Sequence, residues 1–210
     1  MALLLLIRHS VTESTGKQLS GSLPGIHLSQ KGQDQARLLA ERLSPLRIAG
    51  IYASPLERCV ETAEAIAQGR GMDVQRVPAL EEVGYGRWTG RPLAQLARTK
   101  LWKRLHQAPS TITFPEGESL AEVQRRSMAA LEEIVASHPR ATVAVVTHAD
   151  VIRLVLAQVA GVHLDLYQRL TVSPASVSAV SIGDQGPRVL LVNDTGTLAD
   201  LAPRPRRRGS

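Results

Sequence analysis

The stretch Leu3-Leu4-Leu5-Leu6-Ile7-Arg8-His9-Ser10-Val11-Thr12 decides how this chain is read. An unbroken aliphatic run that gives way abruptly to a guanidinium, an imidazole and hydroxyls is the pattern of a strand buried on both faces, its carboxyl end opening into a loop. Open α/β sheets place their ligands at such strand ends. The apolar run is too short to span a bilayer and lacks the basic flank and cleavage site of a signal peptide, so a buried strand is the reading.

Working outward, Thr142–Thr147 repeats the pattern and delivers a second histidine, His148. Between them, Ser29 is placed to cap a helix running to Leu43, with Ala36, Leu39, Ala40 and Leu43 on one apolar face. Ile48–Ala53 reads as a second strand. Ser54-Pro55 reads as a helix start, with Pro55 at the first helical position and the helix continuing to about Gln68. Asp73–Val77 is a candidate third strand, and Leu80–Pro92, rich in glycine, a loop. Leu93–Gln107 reads as one helix carrying Trp102 and Leu105, and Ala108–Glu118 is irregular because prolines and a glycine interrupt it. A long amphipathic helix is expected over Ser119–His138, its stripe formed by Leu120, Val123, Leu131, Ile134 and Val135. A helix over Val151–Ala160 and strands over Ser176–Ile182 and Arg188–Val192 complete the order. This alternation predicts a three-layer α/β/α sandwich around a mostly parallel central sheet.

The chain has 210 residues, 43% of them hydrophobic and 21% charged, which suits one folded domain over about 1–200. Only 3% are aromatic, so base stacking is a poor recognition device here and nucleic-acid binding is not expected. The net charge of +6 misleads, because Arg204, Arg206, Arg207 and Arg208 supply four of the positive charges and the rest of the chain carries only +2. Residues 201–210 read as a basic, disordered tail. A single cysteine, Cys59, excludes an intramolecular disulfide and a thiolate metal cluster and fits a reducing cytoplasm.

Arg8 beside His9 at a strand end is a nucleophile next to an anion clamp, since a guanidinium grips phosphate oxygens bidentately and imidazole forms covalent intermediates. Arg58, in the first turn of its helix, adds a cation where a helix N-terminus already favours an anion. The glycine-rich segment Leu80–Gly90 brings carboxylates able to give a leaving oxygen its proton and later take one from water. Glu82 is the choice for that carrier and Glu81 the fallback. Trp88 reads as a packing residue that fixes this loop, and Cys59 as helix packing.

In Leu6-Ile7-Arg8-His9-Ser10-Val11-Thr12 the chain resembles the L-x-R-H-G-x-T signature of the histidine phosphatase (phosphoglycerate mutase-like) superfamily. Five further segments are similar in order: Leu28-Ser29 with Gly32, Gln35 and Ala36; Ser54-Pro55-Leu56-Glu57-Arg58; Leu80 to Gly90; Gly117-Glu118-Ser119-Leu120 with Val123 and Arg126; and Thr147-His148. The resemblance implies that His9 becomes phosphorylated, that Arg8, Arg58 and a charged His148 surround the phosphoryl oxygens, and that Glu82 is acid and base. It implies substrate contacts from Thr12, Thr15 and Ala149, no metal, no cofactor, and a lid-like insertion at about 84–118. The substrate implied is a small phosphorylated metabolite; a homodimer is compatible with the sequence but not dictated by it, and no membrane partner is expected.

Ser10 and Ala149 stand where the family has glycine, adding side chains near the phosphate, and Thr15 stands where many members have asparagine. The segment 91–118 lacks the paired arginines with which mutases hold a second anionic group, which favours a phosphatase. Arg87, Arg91, Arg98, Lys100, Lys103 and Arg104 read mainly as a solvated basic face. The alternatives carried forward are a phosphoglycerate mutase-type phosphotransferase and a weakly catalytic, phosphate-binding regulatory protein.

Overall fold

The structure is a computed structural model and describes residues 1–196. The expectation for residues 201–210 lies outside the described residues.

Six strands form one sheet in the order β3-β2-β4-β1-β5-β6, with β1 Ala2–Arg8, β2 Ile48–Ala53, β3 Val74–Arg76, β4 Thr142–Thr147, β5 Val177–Gly183 and β6 Gly186–Asp194. The pairs β1/β4, β2/β4 and β2/β3 are parallel, whereas β5 runs antiparallel to both β1 and β6. The sheet is therefore parallel but for one reversed strand, as the alternation of elements leads one to expect.

Strand β1 lies in the middle, and its side chains alternate between the two faces. Leu5 and Ile7 pack against α1 (Gln30–Leu43) and α2 (Glu57–Gln68), while Leu4 and Leu6 pack against α5 (Leu120–Ser137) and α6 (Ala149–Ala160). All four are at most 1% exposed. Burying such a side chain is worth about 1.5–3 kcal/mol each, so this run anchors both layers. A third apolar cluster joins Val83, Tyr85, Trp88, Leu96 and Phe114 to Leu120, Val151 and Leu154, tying the 84–118 region onto the amino-terminal halves of α5 and α6.

Several element ends differ from the sequence expectation, among them α6, which starts at Ala149 and not Val151, and β6, which spans Gly186–Asp194 and not 188–192; two differences have a visible local cause. Helix α2 begins at Glu57, not Pro55, because Ser54 N donates to Val146 O and so prolongs the sheet ladder by one residue. The expected helix over 93–107 is two, α3 (Leu93–Leu96) and α4 (Lys100–Gln107), because the Thr99 hydroxyl accepts from Trp102 N and caps a new helix. Helix α5 starts with a full capping box, in which Ser119 Oγ accepts from Glu122 N and Glu122 Oε2 accepts from Ser119 N.

Candidate active site

The parallel register sets Arg8 opposite Thr147, so the residues that follow, His9 and His148, leave adjacent strand ends together. His9 N donates to Thr147 O at 3.0 Å, and the two imidazole rings sit 5.3 Å apart, edge to face. The loop after β1 is clamped by α1. Val11 O accepts from Ser29 N and Ser29 Oγ, and Val11 N donates to Gln35 Oε1. A Cβ on Gly32 would lie 2.0 Å from Val11 O, so only glycine permits this approach.

His9 Nδ1 lies 2.7 Å from Ser10 O. A carbonyl oxygen only accepts, so Nδ1 carries the proton and Nε2 is left with the lone pair. Burial, then Arg58, then Arg8 push the imidazole down to about 3, which keeps it neutral. Burial is the largest of these causes, and Arg8, the immediate neighbour in sequence, the smallest of the three. Arg8 Nη1 donates to Val172 O at 2.7 Å, while its buried Nε has no partner among the described residues. Arg58 Nη2 donates to Gly21 O at 2.6 Å and lies 3.4 Å from His148 Nδ1.

A guanidinium only donates, so His148 Nδ1 accepts, and its Nε2 proton points to Ser54 Oγ at 2.8 Å. Burial followed by Arg58 holds His148 well below the usual imidazole range. The charged ring expected from the sequence is thus a neutral ring here, fully buried behind Arg58 and beside Cys59 Sγ at 3.4 Å. Burial also pushes the Cys59 thiol up, so it stays protonated packing material.

Glu82 is held by its backbone. Arg126 of α5 donates to the carbonyls of Ala79, Glu81 and Glu82 and binds both oxygens of Glu118, which in turn accepts from Gly84 N. Gly86, at φ +52°, turns the chain where a Cβ would come within 2.1 Å of Pro115 O. Burial, and then the charge of Asp150, push the Glu82 carboxyl up to about 7, so it holds a proton where most carboxylates do not.

Arg8, His9, Arg58 and Glu82 all line one cavity of about 470 Å³, with Thr12, Thr15 and Ala149 also on its wall. The structure thus brings the sequence-selected site residues together, with His148 in contact with His9 and Arg58 but itself off the cavity wall. Glu81 does not line the cavity, and neither does Ser10, whose side chain is fully buried elsewhere. Thr15 Oγ1 accepts from Thr12 N and sits 3.0 Å from Thr12 Oγ1, so its hydroxyl shapes the loop. None of the basic residues at 87, 91, 98, 100, 103 and 104 reaches the cavity. Sequence reasoning missed Asp150, Arg153 and Gln168, which do; the i, i+3 spacing of Asp150 and Arg153 on the helix after His148 was the available signal.

Fold and site together define an α/β protein that carries a neutral imidazole beside two guanidiniums in a cavity at its strand ends. The chain belongs to the histidine phosphatase superfamily (branch 1), whose profile matches residues 4–195. It is 31% identical over 203 residues to phosphoserine phosphatase 1 of Hydrogenobacter thermophilus, covering 96% of both chains. It is also 31% identical over 177 residues to a probable phosphoglycerate mutase of Cronobacter sakazakii, covering 83% of this chain and 82% of that one. Among solved structures, mycobacterial glucosyl-3-phosphoglycerate phosphatase superposes with a TM-score of 0.84 at 25% identity, covering 92% of this chain and 99% of that chain.

Proposed function

We propose that this protein hydrolyses phosphate monoesters of small metabolites through a phosphohistidine at His9. Nε2 of His9 attacks phosphorus as Glu82 protonates the departing oxygen; Glu82, now a carboxylate, takes a proton from the water that displaces phosphate from the imidazole. The proton balance closes over the cycle, and Glu82 returns protonated. Arg8 and Arg58 neutralise the phosphoryl oxygens, which is most of what phosphoryl transfer asks of a protein. His148 supports Arg58 from behind. No metal is needed, because these guanidiniums supply positive charge where a cation would otherwise sit. The observation that carries this reading is the convergence of His9, two guanidiniums and a carboxyl of raised proton affinity in one cavity.

Hydrolysis is favoured over phosphoglycerate mutation because the arginines and lysines of the 91–118 region stay off the cavity wall, leaving no paired guanidinium or ammonium groups from that region for a second phosphoryl group. A non-catalytic binding role loses part of its motive, since Ser10 does not crowd the site. The 84–118 region acts as a lid on one domain, supplying Tyr85, Leu93, Trp102, Leu105 and His106 to the wall. The reducing cytoplasm is the compartment that suits a lone buried thiol.

The test is phosphate release from a panel of phosphorylated metabolites with chelator present, together with acid-quenched trapping of labelled phosphoenzyme. The parent is expected to turn over and to become labelled, and His9→Ala to do neither. Full turnover by His9→Ala, or bisphosphate-primed interconversion of phosphoglycerates outrunning hydrolysis, would refute the proposal.

A further inference from the structure

The steps above leave one wall of the cavity without a task. Asp150, in the first turn of α6, lies on that wall with Arg153, Tyr85 and Gln168. Asp150 Oδ2 accepts from the Tyr85 hydroxyl at 2.6 Å and Oδ1 from Arg153 Nη1 at 2.9 Å, while Arg153 Nε donates to Leu170 O at 2.9 Å. The side chains of Asp150 and Arg153 are 18% and 26% exposed, so the pair is largely shielded yet open to the cavity.

We infer that this wall reads the leaving group, and that the preferred leaving group is a zwitterionic, amino-acid-like alcohol whose ammonium faces Asp150 and whose carboxylate faces Arg153. The inference rests on the phosphatase reading and names the substrate class of that same site.

Hydrogen-bonding capacity supports it. An ionised carboxylate has about four acceptor sites, and Asp150 uses two. Arg153 Nη2 makes no hydrogen bond among the described residues, which leaves an outer guanidinium edge for a carboxylate. Gln168 Nε2 donates to Tyr167 Oη at 3.3 Å, so its Oε1 is a second acceptor for an ammonium. Because Tyr85 and Leu170 O fix the pair in place, little ordering cost remains to be met on binding.

Charge balance points the same way. Among the described residues, Glu82 and Asp150 are the only acids on the cavity wall, and Arg8, Arg58 and Arg153 the only guanidiniums. With Glu82 protonated and His9 neutral, three guanidiniums face one carboxylate, and the surplus of two matches a phosphomonoester dianion. A leaving group bearing a lone carboxylate would add a negative charge beside Asp150 with nothing to offset it. One that brings an ammonium as well leaves the balance intact.

O-phosphoserine and 3-phosphoglycerate of the same C2 configuration differ only in carrying an ammonium or a hydroxyl there, and O-phosphoethanolamine keeps the ammonium but lacks the carboxylate. The experiment compares kcat/KM for these three esters in the parent, in Asp150→Asn and in Arg153→Gln. The parent is expected to favour O-phosphoserine over each of the others by about tenfold or more in kcat/KM. Asp150→Asn should narrow the gap to 3-phosphoglycerate, and Arg153→Gln the gap to O-phosphoethanolamine. Should Arg153→Gln fail to fold, the parent's ratios and Asp150→Asn decide. Equal or better use of 3-phosphoglycerate by the parent, or a parallel fall on all three esters in Asp150→Asn, would overturn the inference and leave the pair as a structural staple. Failure on all three while p-nitrophenyl phosphate is still split in a His9-dependent way would overturn this inference alone. Failure on that ester too would remove the phosphatase reading beneath it.

Discussion

A single carbonyl oxygen decides which nitrogen of His9 can react. Because Nδ1 is committed to Ser10 O, phosphorylation is expected at Nε2, and ³¹P NMR of the trapped phosphoenzyme against the two isomeric phosphohistidines will read the position directly. Glu82 governs the pH response. Its protonated form is the acid, so kcat/KM should hold below about 7 and fall as pH rises through that value, while His9 stays neutral down to about 3. A profile of kcat/KM against pH checks this, and Glu82→Gln should abolish the basic limb and lower kcat by about 10²–10⁴-fold. These residues were legible in the sequence because each stood at a strand end, a helix start or a glycine-rich loop where its chemistry was exposed. The neutrality of His148 was not, because it follows from burial and from which nitrogen meets Arg58. Asp150 escaped for a related reason: whether a first-turn acid faces solvent or a cavity depends on how its helix is seated.

At the scale of elements, α5 reaches the site through one side chain. Arg126 satisfies three carbonyls of the loop bearing Glu82 and both oxygens of Glu118. Arg126→Ala should destabilise the fold by about 3 kcal/mol, since it strands a half-buried carboxylate, and should lower kcat more than it raises KM. A urea titration and steady-state kinetics on the same sample separate the two effects. The Ser119–Glu122 box tests the helix itself, Ser119→Ala costing about 1 kcal/mol in the same titration. Most elements could be read from periodicity and caps, including the boundaries of β2 and β4. The misreadings were local contests. Ser54 reads as a cap, yet it serves the sheet and His148 instead, and Thr99 splits a periodic segment because its hydroxyl captures a backbone N–H.

For the molecule as a whole, the central position of β1 makes its aliphatic run the most sensitive part of the core. Leu5 is 0% exposed, and Leu5→Ala should cost about 2–5 kcal/mol, read as a lower thermal midpoint, with kcat of the folded fraction little changed. The layered architecture was visible from the order of strands and helices; the sheet order was not, because pairing between distant segments leaves no local trace. That order also has a consequence for biosynthesis. Leu3 pairs with Thr142 and Leu4 with Val180, so the first strand made waits for partners translated near the end. A nascent chain that has passed residue 100 displays its stickiest segment with neither neighbour to cover it, the high-contact-order situation in which folding is slow and aggregation competes. Cover for that segment until residues 142–182 have been made is therefore expected to favour folding over aggregation.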